Sequence, residues 1–279
     1  MLVSDQFRKC TVFVAVQQGQ GPGVDPSPAA TAFLVSVPIA AGEAATYAVT
    51  ARHVVDSARF FGALHLRFNL ESGGWTDLRT DPDAWLASPE SDVAVVRIAP
   101  PPASDMRTLP LDRIATRQHV QENEIGEGDE LFFVGLFSPR PGVERAQPIV
   151  RFGTIALMPR EPIAVRMDPG SDSTTRIEAY LVEARSWGGV SGSPAFIYFS
   201  PTRQEGFLTL SEYGTSHIVL LGLVQGHFEL EAEVAFLGDV GASAKVSQNA
   251  GLAAVVPSWA IIKLLLEAVA SDERGMSGG

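Results

Sequence analysis

The chain has 279 residues, 46% hydrophobic and 19% charged, which is enough apolar material for a large core and excludes a disordered chain. Against 21 basic residues stand 32 acidic ones, and the net charge of −11 disfavours phosphate backbones and anionic membrane surfaces, so neither nucleic acid nor membrane is an expected partner. The single cysteine, Cys10, rules out an intrachain disulfide and a cysteine-rich metal cluster, in keeping with a reducing, cytoplasmic setting.

No apolar stretch ending in a cleavage site follows the opening MLVSDQFRKC, so the chain is expected to be unexported. Its first half reads as short strands at Thr11 to Gln17, Thr31 to Val37, Tyr47 to Thr50, Leu64 to Phe68 and Val93 to Ile98, each bounded by turn-forming residues. No segment there is long enough to be assigned as a helix. Beyond an acidic run from Glu122 to Glu130, strands are expected at Leu131 to Val134, Gly153 to Leu157, Ala179 to Ala184, Ser193 to Tyr198, Ile218 to Gln225, Phe228 to Ala235 and Ala253 to Val256. A Gly-rich loop is expected around Gly238 to Asn249. Only after Pro257 does the period change: Ser258 is a plausible N-cap, and Ile261, Leu265 and Ala268 recur on one helical face. So many short strands predict an all-β sandwich or barrel with one C-terminal helix. The longest apolar runs, at 131–137 and 264–266, fall well short of the roughly 20 residues of a membrane span.

Chemistry concentrates at Trp187-Gly188-Gly189-Val190-Ser191-Gly192-Ser193-Pro194. Glycines around a serine let the N–H groups of Gly189 and Ser191 converge on one point, and Gly192 keeps a Cβ away from an exposed hydroxyl, as an acyl-transfer nucleophile with an oxyanion hole requires. A tight surface turn has the same composition. Upstream, Thr50-Ala51-Arg52-His53-Val54-Val55 sets a histidine at the end of a strand, and Ser91-Asp92-Val93-Ala94-Val95 sets an acid at the mouth of another. A carboxylate so placed can take the Nδ1 proton of an imidazole and leave Nε2 to deprotonate a serine. In the order His53, Asp92, Ser191 the three reinforce one another. The remaining histidines lack metal-ligand spacing, and neither a metal nor an organic cofactor is expected.

These motifs resemble the trypsin-like (chymotrypsin-fold) serine peptidases, in flavour the bacterial, disulfide-free members related to the HtrA/Deg proteases. Thr31 to Val35, Thr50 to Asp56, Ser91 to Val95, Gly189 to Pro194, Leu221 to Gly226 and Asn249 to Pro257 carry the resemblance in order across about residues 8 to 270. It implies two six-stranded antiparallel β-barrels packed together: 8–110 with His53 and Asp92, an acidic connector 111–130, 131–257 with Ser191, a helix 258–270 and a flexible tail 271–279. It also implies Ser191 as nucleophile, His53 as general base and acid, Asp92 as orienting carboxylate, and Gly189 and Ser191 as the oxyanion hole of a serine endopeptidase acting on protein or peptide substrates. By position, Arg185, Leu223, Val224, Gln225, Gly226 and His227 would bind substrate. An inward Arg185 would favour an acidic or polar P1 side chain. Val190 stands where secreted digestive members carry the aspartate that pairs with a new N-terminus, so activation by N-terminal cleavage is not expected. Two readings of another kind stay open: a catalytically silent or effector-gated module of the same fold that binds peptide along Gly222 to Gly226 by strand addition, and a nonpeptide acyl hydrolase. Leu264 and Leu266 on the last helix are compatible with a regulatory partner or a homo-oligomer.

Overall fold

A computed structural model describes residues 3–17, 25–39, 42–166, 174–184, 188–198, 218–235 and 243–277. Its first half contains α1 (Asp5–Lys9), β1 (Thr11–Val16), β2 (Ser27–Pro38), β3 (Ala44–Thr50), α2 (Arg52–Ala58), β4 (Leu64–Asn69), β5 (Trp75–Thr80), β6 (Leu86–Ala87), β7 (Ala94–Ile98) and β8 (Leu109–Pro110). The second half contains α3 (Arg117–Glu122), β9 (Glu130–Gly135), β10 (Ile149–Leu157), β11 (Ile163–Arg166), β12 (Thr174–Ile177), β13 (Tyr180–Glu183), β14 (Pro194–Tyr198), β15 (Ile218–Ala235), β16 (Ser243–Pro257) and α4 (Ser258–Ser277). The protein is thus mostly β with a C-terminal helix.

Of the two barrels expected, one closes. Strands β10-β13-β16-β15-β14-β9 form a closed six-stranded ring. The first half is a sheet ordered β5-β4-β1-β2-β3-β7-β6, with β8 beside β2, and no ladder among the described residues joins β5 to β6. This sheet is nevertheless rolled. Laid flat, its seven-strand path would hold the edges about 29 Å apart, whereas the chain from Thr80 to Leu86 can span at most about 21 Å. Trp85 Nε1 donates to Thr80 Oγ1 at 3.0 Å across that link. With β6 only two residues long, the seam has too little backbone to zip up.

Alternation along the strands decides what each barrel face covers. Leu131, Phe133, Ala195, Ile197, Leu221 and Val224 fill the closed barrel, while Phe132, Val134, Phe196, Leu220 and Leu223 point outward into a second core shared with the first sheet and α4. Burial on both faces explains why 131–136 reads as an unbroken apolar run. Phe7 of α1 wedges into that seam, its ring 4.9 Å from Phe196 and 5.4 Å from Phe132.

Several boundaries differ from the sequence reading. Three short helices stand outside the elements read from the sequence: α1, α2 and, inside the acidic connector, α3, whose N-cap Thr116 accepts from His119 N–H. Strand β15 is one strand with bulges, not two, and residues 243–249 of the expected loop belong to β16. The last helix continues past residue 270, because Asp272 accepts a hydrogen bond of 2.6 Å from Tyr47 and so fastens its final turns to β3. Among the described residues no helix is long and apolar enough to cross a membrane.

Candidate active site

His53 is the second residue of α2, not the end of a strand. Val54 and Val55 are poor helix formers, but both are buried with Ala58, and this packing holds the short helix. Its N-cap, Ala51, has no side chain to offer the first-turn N–H groups. Asp92 does that from outside: Oδ1 accepts the His53 backbone N–H at 2.9 Å, and Oδ2 lies 2.7 Å from His53 Nδ1. A carboxylate can only accept, so Nδ1 carries the proton and the neutral ring keeps its lone pair on Nε2. Asp92 is fully buried, and the turn that carries it is pinned to α2, since Arg52 donates to Ser88 O at 2.9 Å. Burial opposes charge on His53, but the Asp92 charge and hydrogen bond, aided by Asp56, outweigh it and raise the pKa above the ordinary 6.5.

Ser191 lies in a turn shaped by two left-handed glycines, Gly189 at φ +100° and Gly192 at φ +85°. Gly192 is required for a reason other than access to the serine hydroxyl: a Cβ there would stand 2.0 Å from Thr31 O and 2.4 Å from Thr50 Oγ1. The turn is pressed against the first sheet. Thr31 N donates to Ser191 O at 2.9 Å, Thr31 Oγ1 donates to Gly189 O at 2.8 Å, and Thr50 Oγ1 donates to Thr31 O at 2.7 Å. Because Thr50 immediately precedes the segment that opens α2, two buried threonines link the Ser191 turn to the His53 helix. Both threonines stand in the sequence motifs with no role that the motifs assign; polar residues inside otherwise apolar strands are the signal that marks them.

Ser191 Oγ donates to Gln225 O at 2.9 Å, and among the described residues no hydrogen bond joins it to His53 Nε2. A bulge between Val224 and Gly226 aims that carbonyl at the turn. Neither the Gly189 nor the Ser191 N–H has a partner among the described residues, in a turn where the Val190 carbonyl is bonded to Ser193 N at 2.9 Å. The site therefore holds an oriented imidazole and, on the facing turn, a hydroxyl with two free backbone donors.

The expected substrate-binding residues divide. Leu223 and Val224 are fully buried, one in the seam and one in the barrel, so neither presents a surface to a ligand. Nor is 222–224 an open edge, because it pairs with β14 or its approach on one flank and β16 on the other. Past the Gln225 bulge, Gly226 and His227 pair with Ala254 and Ala253, and no described strand lies on their other flank. Arg185, the His227 side chain and the side chains of Glu229, Glu231 and Glu233 lie outside the described residues. Cys10 is buried beside Phe7 O, with its thiol pushed up to about 12 by burial, and plays no part in the site. No group of three or more His, Cys, Asp or Glu side chains among the described residues is placed to hold a metal ion.

A family profile described as a trypsin-like peptidase domain matches residues 30–197, the span that holds His53, Asp92 and Ser191. Among solved structures, the Rv3671c protease from M. tuberculosis in its active form is similar at 17% identity, over 92% of this chain and 80% of that one, with a TM-score of 0.46. Its inactive form is similar at 14% identity over 94% and 90%, with a TM-score of 0.45. No curated protein sequence matches the chain.

Proposed function

The chain belongs to the trypsin-like peptidase family, and from that premise we propose that it is a serine endopeptidase with Ser191 as nucleophile, His53 as base and acid, and Asp92 as the orienting carboxylate. The observation that carries this reading is the two-pronged grip of buried Asp92 on His53, which selects the one tautomer able to accept a proton from a hydroxyl at Nε2. The rolled first sheet then serves as the counterpart of the closed barrel, each supplying one part of the machinery.

In the reaction, Ser191 turns about χ1 from Gln225 O to His53 Nε2, between staggered wells. Oγ attacks the scissile carbonyl carbon as His53 takes its proton, and the Gly189 and Ser191 N–H groups receive the oxyanion. Collapse breaks the C–N bond, and the imidazolium returns the proton to the leaving amine. Water, deprotonated by the same imidazole, hydrolyses the acyl-enzyme. Asp92 keeps its hold on Nδ1 throughout and stabilises the imidazolium. Substrate backbone adds along Gly226 and His227, where β15 lacks a described neighbour on one flank.

The Ser191–Gln225 bond also favours a second reading, in which the free protein waits for an effector to turn the hydroxyl. Fluorophosphonate labelling of the folded protein, read by intact mass and peptide mapping, separates the two. Modification confined to Ser191 and lost in Ser191→Ala and His53→Ala supports the enzyme, and cleavage of a peptide library then separates an endopeptidase from an esterase. A folded, monodisperse sample that does not react supports the gated or silent module instead.

A further inference from the structure

The two oxyanion donors, the Gly189 and Ser191 N–H groups, lie in the first and last of three consecutive peptide units, and each unit has its carbonyl held by a different group. Val190 O is held from within the turn by Ser193 N at 2.9 Å, and Gly189 O is held by buried Thr31 Oγ1 at 2.8 Å. Gly188 O accepts from Ser138, from Oγ at 2.8 Å and from N at 3.3 Å. In a trans peptide the carbonyl and the N–H point in opposite directions. Holding Gly188 O on Ser138 therefore turns the Gly189 N–H away from Ser138, where it has no partner among the described residues.

This unit is the softest of the three. Glycine stands on both sides of it, so no Cβ resists its rotation, and its only anchor among the described residues comes from an exposed residue of the 136–148 loop. Rotated by half a turn, it would present the Gly188 carbonyl where the N–H now points, replacing a donor to the oxyanion with an acceptor. The other two units are locked by a local backbone bond and by a fully buried threonine.

We infer that Ser138 is a positioning residue for the oxyanion hole, holding the Gly188–Gly189 peptide with its N–H presented to the developing oxyanion. The loop is fastened well enough to do so. At its start Leu136 N donates to Thr31 Oγ1 at 2.9 Å, the same hydroxyl that holds Gly189 O. Near its end Asn69 clasps the Ala146 peptide, donating to its carbonyl at 2.9 Å and accepting from its N–H at 2.8 Å, and Arg145 meets Asp105 at 2.6 Å. Asn69 and Asp105 belong to the first half, so the oxyanion hole is aimed from across the seam.

This inference rests on the serine-hydrolase reading, and the test keeps the two apart. Turnover of p-nitrophenyl acetate is measured per active site, with sites counted by end-point fluorophosphonate labelling, alongside the dissociation constant of benzeneboronic acid, whose tetrahedral adduct occupies the hole. Removing an oxyanion donor outright costs about 10²- to 10³-fold, so Ser138→Ala, which leaves the donor in place but loosely aimed, is expected to lower kcat by about 10- to 100-fold. KM should stay within about twofold, benzeneboronic acid should weaken by a factor close to that lost in kcat, and Ser138→Thr should restore both. An alanine variant with wild-type kcat per site, or one whose loss follows only its thermal midpoint, overturns the role of Ser138 while leaving the enzyme reading intact. A wild-type protein inert to both p-nitrophenyl acetate and the fluorophosphonate overturns the enzyme reading and the inference with it.

Discussion

The rolled first sheet places its chemistry through side chains: one buried carboxylate both caps a short helix and grips the imidazole that the helix carries. The closed barrel places its chemistry through backbone, since the Ser191 turn is shaped by left-handed glycines and held by carbonyls bonded to Thr31, Ser138 and Ser193. A charged pair needs burial and hydrogen bonds to fix its proton, whereas an oxyanion site needs N–H groups that nothing else has claimed. The two devices should therefore fail differently when disturbed.

The largest effect is expected on the first side. Asp92→Asn leaves the packing in place but puts an amide against Nδ1 and disturbs the tautomer, and kcat should fall about 10⁴-fold. With the carboxylate gone, burial dominates and the His53 pKa should drop below 6.5, which an NMR titration of the ring would register. A fall of less than about tenfold would deny Asp92 its role.

The raised His53 pKa makes opposite demands on activity and stability. Catalysis needs the neutral ring, so activity should climb as pH rises through a value above 6.5. The same shift stabilises the fold fully below the unfolded value, and that contribution is lost as pH rises through the folded pKa. Denaturant midpoints and kcat/KM measured from pH 5 to 9 should thus move in opposite directions across that limb, and parallel movement would mean that another group controls the profile.

Disturbing the second side should cost stability as well as rate. Gly192→Ala forces an L-residue to φ +85° and drives a methyl into Thr31 O, with an expected loss of about 2–5 kcal/mol by chemical denaturation. Equal stability would show that the turn is not clamped on the first sheet. The smallest effect belongs to neither device: Tyr47→Phe removes the bond to Asp272, whose carboxylate is partly exposed, and should cost about 1 kcal/mol without changing kcat.

How much of this was legible in the sequence follows from the range over which each feature acts. Alternating short strands, the terminal helix and the ordered motifs around His53, Asp92 and Ser191 are local patterns of residue type, and they sufficed for fold class and for the chemistry to look for. The helix under His53 was hidden because Val54 and Val55 argue against helix until their burial is known. Closure of one barrel and not the other depended on the length of the strands at the seam, and the burial of Leu223 and Val224 depended on which face each strand turned to its neighbours. Only the tertiary structure could show that a carboxylate 39 residues away caps α2, that Thr31 joins the two halves, or that Ser138 holds the Gly188 carbonyl. Such bonds join groups distant in the chain, and a sequence states which groups exist without stating which of them folding brings within about 3 Å.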